Sequence, residues 1–307
     1  MQEPSIHSAI ILTREGVWGQ AIGIPTPPGV VAYIPKYVDC RKQSPWKYLS
    51  WRLCRVIPSY GPKGLENVMD SLGLNWREDP LYGARMPYVL LEDIVLFIHP
   101  REALLHLISN PRAGFEPAIE MINEVVRKTR VSVEELGITG SYAMGTPHSK
   151  SDLDLIVYGE AAVEKMYDYF KRESKGPSRE DLGGITTYPT VDLSWRRRSL
   201  NGFNVTWTGV PISWHCPPLR DYYMIQPPER LVKVRVWVDP EQTGALLYPP
   251  CVNAGEYWIV SYEYNLGGMF YEGGAFELSA MSSHDNVLYV GLREYPGLVR
   301  RLGSSGD

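Results

Sequence analysis

Asp152 and Asp154 stand two residues apart in Ser-Asp-Leu-Asp-Leu-Ile-Val, at the head of an apolar run. On a strand, residues two apart share a face, so both carboxylates point one way while Leu153, Leu155 and Val157 point into a core. Adjacent carboxylates repel unless a cation lies between them or one keeps its proton. Hard divalent cations such as magnesium take such oxygens and leave positions open for phosphate. A third carboxylate, Asp192, sits in Thr-Val-Asp-Leu-Ser-Trp, again among apolar residues. If its strand lies beside the first, three carboxylates meet, a set suited to two-metal phosphoryl transfer. Asp152 and Asp154 would then hold both metals, while Asp192 holds one and helps activate the attacking hydroxyl. Asp181, in a more polar stretch, is the fallback third carboxylate.

Gly140 and Ser141 supply the other half of the chemistry. A short β-type run at 136–139 leads into them. Gly140 lets the backbone approach a ligand closely. Ser141 offers a hydroxyl and is placed to start a short helix over 142–145, whose first N–H groups attract phosphate. Nucleotide phosphates would lie between this turn and the metals.

Gly-Ser, a ten-residue gap, Asp-x-Asp opening an apolar strand and a later strand Asp together resemble the polymerase-β-type nucleotidyltransferase superfamily. The resemblance covers roughly residues 101–200, about a third of the chain. It implies a mixed sheet with flanking helices, two Mg2+ ions (with Mn2+ as a substitute) and an NTP donor. The whole-chain layout also resembles a group of archaeal nucleotidyltransferases with β-rich segments on both sides. One departure stands out. Many small members of the superfamily carry Arg or Lys where this chain has Met144; others, poly(A) polymerases among them, have an apolar residue there. Lys150, or one of Arg196, Arg197 and Arg198, is the candidate replacement for that phosphate-binding charge.

The elements that must position these residues follow from periodicity. Apolar residues at Phe115, Ile119, Ile122 and Val126 recur at helical spacing. Helix at 101–108, strand at 136–139, strand at 153–157, helix at 160–174 and strand-like composition at 185–195 complete a compact α/β unit. Residues 1–100 read as mostly β, with runs at 9–12, 17–24, 29–34 and 88–97, a turn over 13–16 and one short helix at 65–72. Beyond 203 the chain is β-like again. In 231–238 every even position is Val, a period of two. Strands are also expected at 257–264 and 287–292, with turns or bulges at Gly267-Gly268 and Gly273-Gly274. The expected class is therefore α+β: a central nucleotidyltransferase-type unit at 101–202, between a β-rich segment at 1–100 and a β-rich, barrel-like segment at 203–307.

Composition narrows the partners. The 307 residues are 44% hydrophobic and 21% charged, with a formal net charge of −4. That argues against long disorder and against a surface coated in positive charge for duplex binding. The four cysteines, Cys40, Cys54, Cys216 and Cys251, are far apart without a Cys-x-x-Cys, and read as free thiols in a reducing cytoplasm. Zinc on His215, Cys216 and Cys251 is the minor alternative, lacking the usual paired spacing. No apolar run approaches the roughly 20 residues of a membrane span, and no secretory leader is visible. A cytoplasmic protein without membrane contact is expected.

Weaker signals remain. Arg196–Arg198 reads as a solvated basic turn or as a phosphate or nucleic-acid clamp. His148 reads as an exposed loop residue or a substrate contact. Trp207, Trp214, Trp237, Trp258, Tyr262 and Tyr264 read mainly as packing, and less as a base-stacking platform. The acceptor stays open among an RNA end, a protein hydroxyl and a small molecule. A degenerate nucleotide- or RNA-binding protein is the alternative function.

Overall fold

The computed structural model describes residues 5–23, 27–40, 42–57, 62–112, 114–149, 151–172, 185–188, 191–200, 202–213, 215–292 and 295–303. Lys150, Asp181 and Trp214 lie outside them.

The N-terminal part begins with a hairpin, β1 (Ile10–Thr13) and β2 (Val17–Ala21), turning at Gly16 with φ +82°. There follow β3 (Val30–Asp39), β4 (Trp46–Tyr48), β5 (Trp51–Arg55), α1 (Pro62–Leu72), β6 (Trp76–Asp79), β7 (Ala84–Leu90) and β8 (Ile94–Ile98). All eight strands join one sheet, with the path β4-β5-β3-β2-β1-β8 and with β7 joining β3 to β6. The run expected at 88–97 is two strands, because a single 3-10 turn at Leu91–Asp93 interrupts it. The sheet has a bulge at Lys36. Trp18 pairs with Tyr37 and Gly19 with Pro35, which leaves Lys36 as the extra residue. A bulge re-aims the side chain it carries.

The central part contains α2 (Pro100–Ser109), α3 (Glu116–Thr129), β9 (Leu136–Thr139), α4 (Gly140–Ala143), β10 (Leu153–Tyr158) and α5 (Glu160–Lys171). α3 buries Ala118, Met121, Ile122, Val125 and Thr129 at three- and four-residue spacing, and ends where Arg130 turns to φ 61°. Its deepest face is thus rotated slightly from the one the apolar spacing suggests. After β11 (Thr186–Tyr188) come β12 (Arg197–Leu200) and β13 (Phe203–Val210). The central sheet runs β12-β13-β10-β9, with β13 parallel to β10 and the other pairs antiparallel.

The boundary expected at 202/203 therefore falls inside this sheet. β13 completes it, because its alternating Val205 and Trp207 face the same helices as Leu153 and Leu155. Conversely, β11 pairs with the C-terminal sheet, and Ile185, Val191 and Leu193 belong to that sheet's core. The strand-like stretch at 185–195 is β11 followed by a turn over 194–196.

The C-terminal sheet is made by β11, β14 (Arg230–Val238), β15 (Cys251–Ala254), β16 (Tyr257–Ser261), β17 (Gly274–Ser282), β18 (Val287–Val290) and β19 (Leu298–Arg301). β14 keeps its period of two: the valines turn inward, while Leu231, Lys233, Arg235 and Trp237 are exposed. Among the described residues the pairing runs β11-β19-β17-β18-β16-β15 with β14 along the other edge of β17, and no strand pair closes it into the expected barrel. Gly267 and Gly268 begin a short helix, α6 (Gly267–Tyr271), rather than a turn. A side chain on Gly268 would collide with the Trp195 ring.

The three sheets share cores. Leu246, Leu247 and Tyr264 enter the central core, and Ile22, Leu81 and Met86 pack against Cys216, Leu219 and Tyr289. All four cysteines are bridged, Cys40 to Cys54 and Cys216 to Cys251, which overturns the free-thiol reading. Residues remote in sequence are brought to Cα separations of 5.7 and 5.6 Å, within the range a disulfide spans. The thiol argument for a reducing compartment goes with it. No described helix is long and apolar enough to cross a membrane.

Candidate functional site

β9 ends at Thr139 and the chain turns sharply at Gly140, which adopts φ +66°. A Cβ at Gly140 would stand 2.6 Å from Oδ2 of Asp154. Only glycine meets both demands here, a left-handed backbone and a carboxylate pressed against its Cα. The turn and the Asp154 carboxylate are therefore in direct contact.

Strand register builds the rest. Asp154 pairs with Thr139 on β9 and with Thr206 on β13, and Thr206 pairs with Arg197 on β12. Cross-strand partners share a face. Thr139, Asp154, Thr206 and Arg197 thus form one row across all four strands. One step earlier on β13, Asn204 pairs with Ser199. The opposite face carries Ile138, Leu155 and Trp207, buried under the helices.

Asp154 is anchored: its Oδ1 accepts from Thr206 Oγ1 at 2.6 Å. Burial pushes its carboxyl above the usual carboxylate range; the Thr206 bond and the charges of Lys36 and Arg196 oppose that shift, and Asp152 adds to it. Asp152 is exposed at the mouth of the site. The N-terminal sheet closes over this face. Thr139 Oγ1 donates to Ser8 O at 2.7 Å, and Lys36 arrives from its bulge.

Two cavities flank the carboxylate pair. The smaller, about 180 Å³, lies on the Gly-Ser side and is lined by Gly140, Ser141, Met144, His148 and Trp46. The larger, about 680 Å³, runs along β13 and β12 and is lined by Arg196, Arg197, Ser199, Asn204, Thr206 and Thr208. Asp152, Asp154 and Lys36 line both.

Asp192 is not brought to the pair. It binds Lys171 Nζ at 2.7 Å and the Ser194 amide at 2.9 Å. Lys171 also reaches Glu272 at 2.5 Å, which ties the end of α5 to the C-terminal sheet region. Burial raises the Asp192 carboxyl, but the Lys171 and Ser194 bonds outweigh it and hold the group low. The physical reason is the strand order. β10's parallel neighbour is β13, not the segment containing Asp192, so the place beside Asp154 is taken by Thr206. Among the described residues no group of three carboxylate, His or Cys side chains is arranged to hold a metal ion.

Arg196 lines the larger cavity, but its guanidinium is engaged by the protein. It donates to Asn265 Oδ1 at 2.6 Å, Trp207 O at 3.2 Å and Thr208 Oγ1 at 3.4 Å, and lies 4.7 Å from the Tyr264 ring centroid. Arg198 turns to the helix side, where it donates to Tyr169 O at 3.2 Å. Arg197 stays on the carboxylate face. His148 lines the smaller cavity, edge-on to Trp46 at 5.8 Å. Tyr264 is packing: its hydroxyl donates to Leu246 O and accepts from the Gly209 amide. The zinc alternative is excluded, since Cys216 and Cys251 are bridged to each other and His215 Nε2 lies 2.9 Å from Pro249 O.

Met144 is buried in a cluster with Ile10, Leu12, Trp18 and Leu53 of the N-terminal sheet. A cation there would give up that apolar packing, on a residue whose other side lines the smaller cavity with Asp152 and Asp154. Lys36 is the cation at the carboxylates that motif reading missed. Its signal in the sequence is a lone Lys inside the apolar run Val-Val-Ala-Tyr-Ile-Pro-Lys-Tyr-Val. Thr206 and Asn204 were missed because only the sheet order makes them neighbours of the pair.

Residues 119–188 match the family model described as a nucleotidyltransferase domain, in agreement with the polymerase-β-type resemblance. The match includes the Gly-Ser turn, Asp152 just before β10 and Asp154 within it, and excludes Lys36, Asp192 and β13. No curated protein and no solved structure matches the chain, so the archaeal likeness of the flanking segments rests on layout alone.

Proposed function

We propose that the protein transfers a nucleoside monophosphate from an NTP to an acceptor hydroxyl, with release of pyrophosphate. The observation that carries this reading is the contact between Gly140 and Asp154, which sets the Gly-Ser turn beside the carboxylate pair. Ser141 and the Gly140 turn hold the donor phosphates from the smaller cavity. Lys36 supplies the cation that Met144 cannot.

Asp152 and Asp154 give two carboxylates, and magnesium is commonly held by one or two carboxylates together with substrate phosphates. They fit one such ion, which when bound would neutralise charge on the triphosphate and on the departing pyrophosphate. The third carboxylate expected for a second ion is replaced by neutral Thr206 and Asn204. The rest of the mechanism belongs to this chain's own groups. Thr206 fixes the rotamer of Asp154. The N-terminal sheet, through Ser8 and Lys36, covers the site and limits water. The acceptor oxygen bonds to the α-phosphorus as the α–β bridging bond breaks, and its electron pair leaves with pyrophosphate. The hydroxyl proton passes through Asp152, the exposed member of the pair, to solvent.

The test is Asp152→Ala assayed for pyrophosphate release with each NTP, alongside a melting curve. Transfer should be abolished with the fold intact; undiminished transfer would sink the assignment. A second reading, a nucleotide- or RNA-binding protein without turnover, is favoured by Thr206 in the third-carboxylate place. It predicts a magnesium-dependent thermal shift with NTP and no pyrophosphate release over a wide acceptor screen.

A further inference from the structure

The two cavities on either side of Asp152 and Asp154 differ in chemistry as well as in size. In-line displacement brings the attacking oxygen in opposite the leaving group. With pyrophosphate leaving on the Gly140–Ser141 side, the attacking group must enter from the far side of the pair, through the larger cavity. That cavity brings Lys36, Arg196 and Arg197 against two carboxylates, and any divalent ion on the pair makes it more positive still. None of its described lining residues is aromatic. A nucleoside carries no anion and is commonly held by stacking on aromatic side chains, so the cavity is ill suited to the donor's base. The same lack of a stacking platform counts against single-stranded nucleic acid. Its volume of about 680 Å³ is that of a small-molecule site.

Resting on the proposed transferase reading, we propose that the larger cavity is the acceptor subsite. It takes a small molecule bearing both a phosphate group and the reacting hydroxyl. The phosphate lies against Arg197 on β12, and the hydroxyl lies over Asp152, with Lys36 left to the donor side that it also lines. Arg196, held by Asn265, Trp207 and Thr208, is a fixed positive wall behind them. The reaction balances as acceptor hydroxyl plus NTP giving a phosphodiester, pyrophosphate and one proton.

The experiment uses the full chain. Melting temperature is measured with magnesium and ATP, then with inorganic phosphate, ribose 5-phosphate, glycerol 3-phosphate, ribose, glycerol and a ten-nucleotide RNA. Transfer is followed in parallel with α-labelled ATP. The expected result is stabilisation by phosphate and at least one monoester but not by ribose or glycerol. Arg197→Gln should weaken the monoester effect at least tenfold while the magnesium–ATP shift persists, which also shows that the variant is folded. Equal response to sugars with and without phosphate would overturn the inference, as would response or labelling confined to RNA, or an Arg197→Gln response equal to wild type. A magnesium–ATP shift without any monoester effect defeats the acceptor inference alone. An Arg197-dependent monoester effect without any ATP shift supports the anion site and defeats the donor reading alone.

Discussion

The Cα of Gly140 lies against the carboxylate of Asp154, so that a Cβ there would stand 2.6 Å from Oδ2. Gly140→Ala adds this clash to the strain of a left-handed backbone, roughly 1–2 kcal/mol for an L-residue. We expect it to lose stability and to lose NTP transfer out of proportion. Gly16→Ala is the control, since Gly16 has φ +82° with nothing near a Cβ. It should cost a similar strain and leave transfer intact. Equal activity in the two variants would show that the contact has no role in the chemistry.

Asp192 separates the tertiary arrangement from the motif. Its partners are Lys171 and Ser194, neither of which belongs to the row that contains Asp154. Asp192→Asn should therefore retain transfer and lower stability by about 1 kcal/mol, as expected of a half-exposed ion pair. Asp154→Asn should abolish transfer. A kcat collapse in Asp192→Asn with an unchanged melting temperature would return Asp192 to the site.

Met144 and Lys36 make opposite predictions. Met144→Arg disrupts the packing against Ile10, Leu12, Trp18 and Leu53, at a cost of about 1–3 kcal/mol. No gain in nucleotide binding should follow. Lys36→Met should weaken magnesium–NTP binding about tenfold, near 1.4 kcal/mol, with partial rescue by Lys36→Arg. Calorimetric titration of both variants checks the pair.

His7 gives a pH signature for the clamp over the site. Burial, then the nearby Lys36 charge, push its imidazole down to about 3 from the ordinary 6.5. Its Nδ1 accepts from the Gly23 amide and its ring stacks on Tyr248 at 4.2 Å, both of which suit the neutral form. The unfolded chain takes up a proton near pH 6.5, and the folded chain does so only near pH 3. The His7 contribution is thus complete above about pH 6.5 and declines as pH falls toward 3. The advantage of wild type over His7→Gln should shrink by roughly 2 kcal/mol between about pH 7 and pH 5. An advantage that stays constant over that range in denaturant titrations would refute the assignment.

Local chemistry in the sequence determined the parts whose physics is local. Gly140-Ser141 and Asp152-Leu153-Asp154 were legible because a sharp turn and a period of two need only neighbouring residues. The same is true of α3, β10 and β14, whose apolar spacing carries their burial. Only tertiary structure decided what stands beside the pair. Strand order is set by how β13 and the helices close a shared core, and no residue near Asp192 reports that order. It placed Thr206 opposite Asp154, sent Asp192 to Lys171, paired the cysteines and let a bulge more than a hundred residues upstream deliver Lys36.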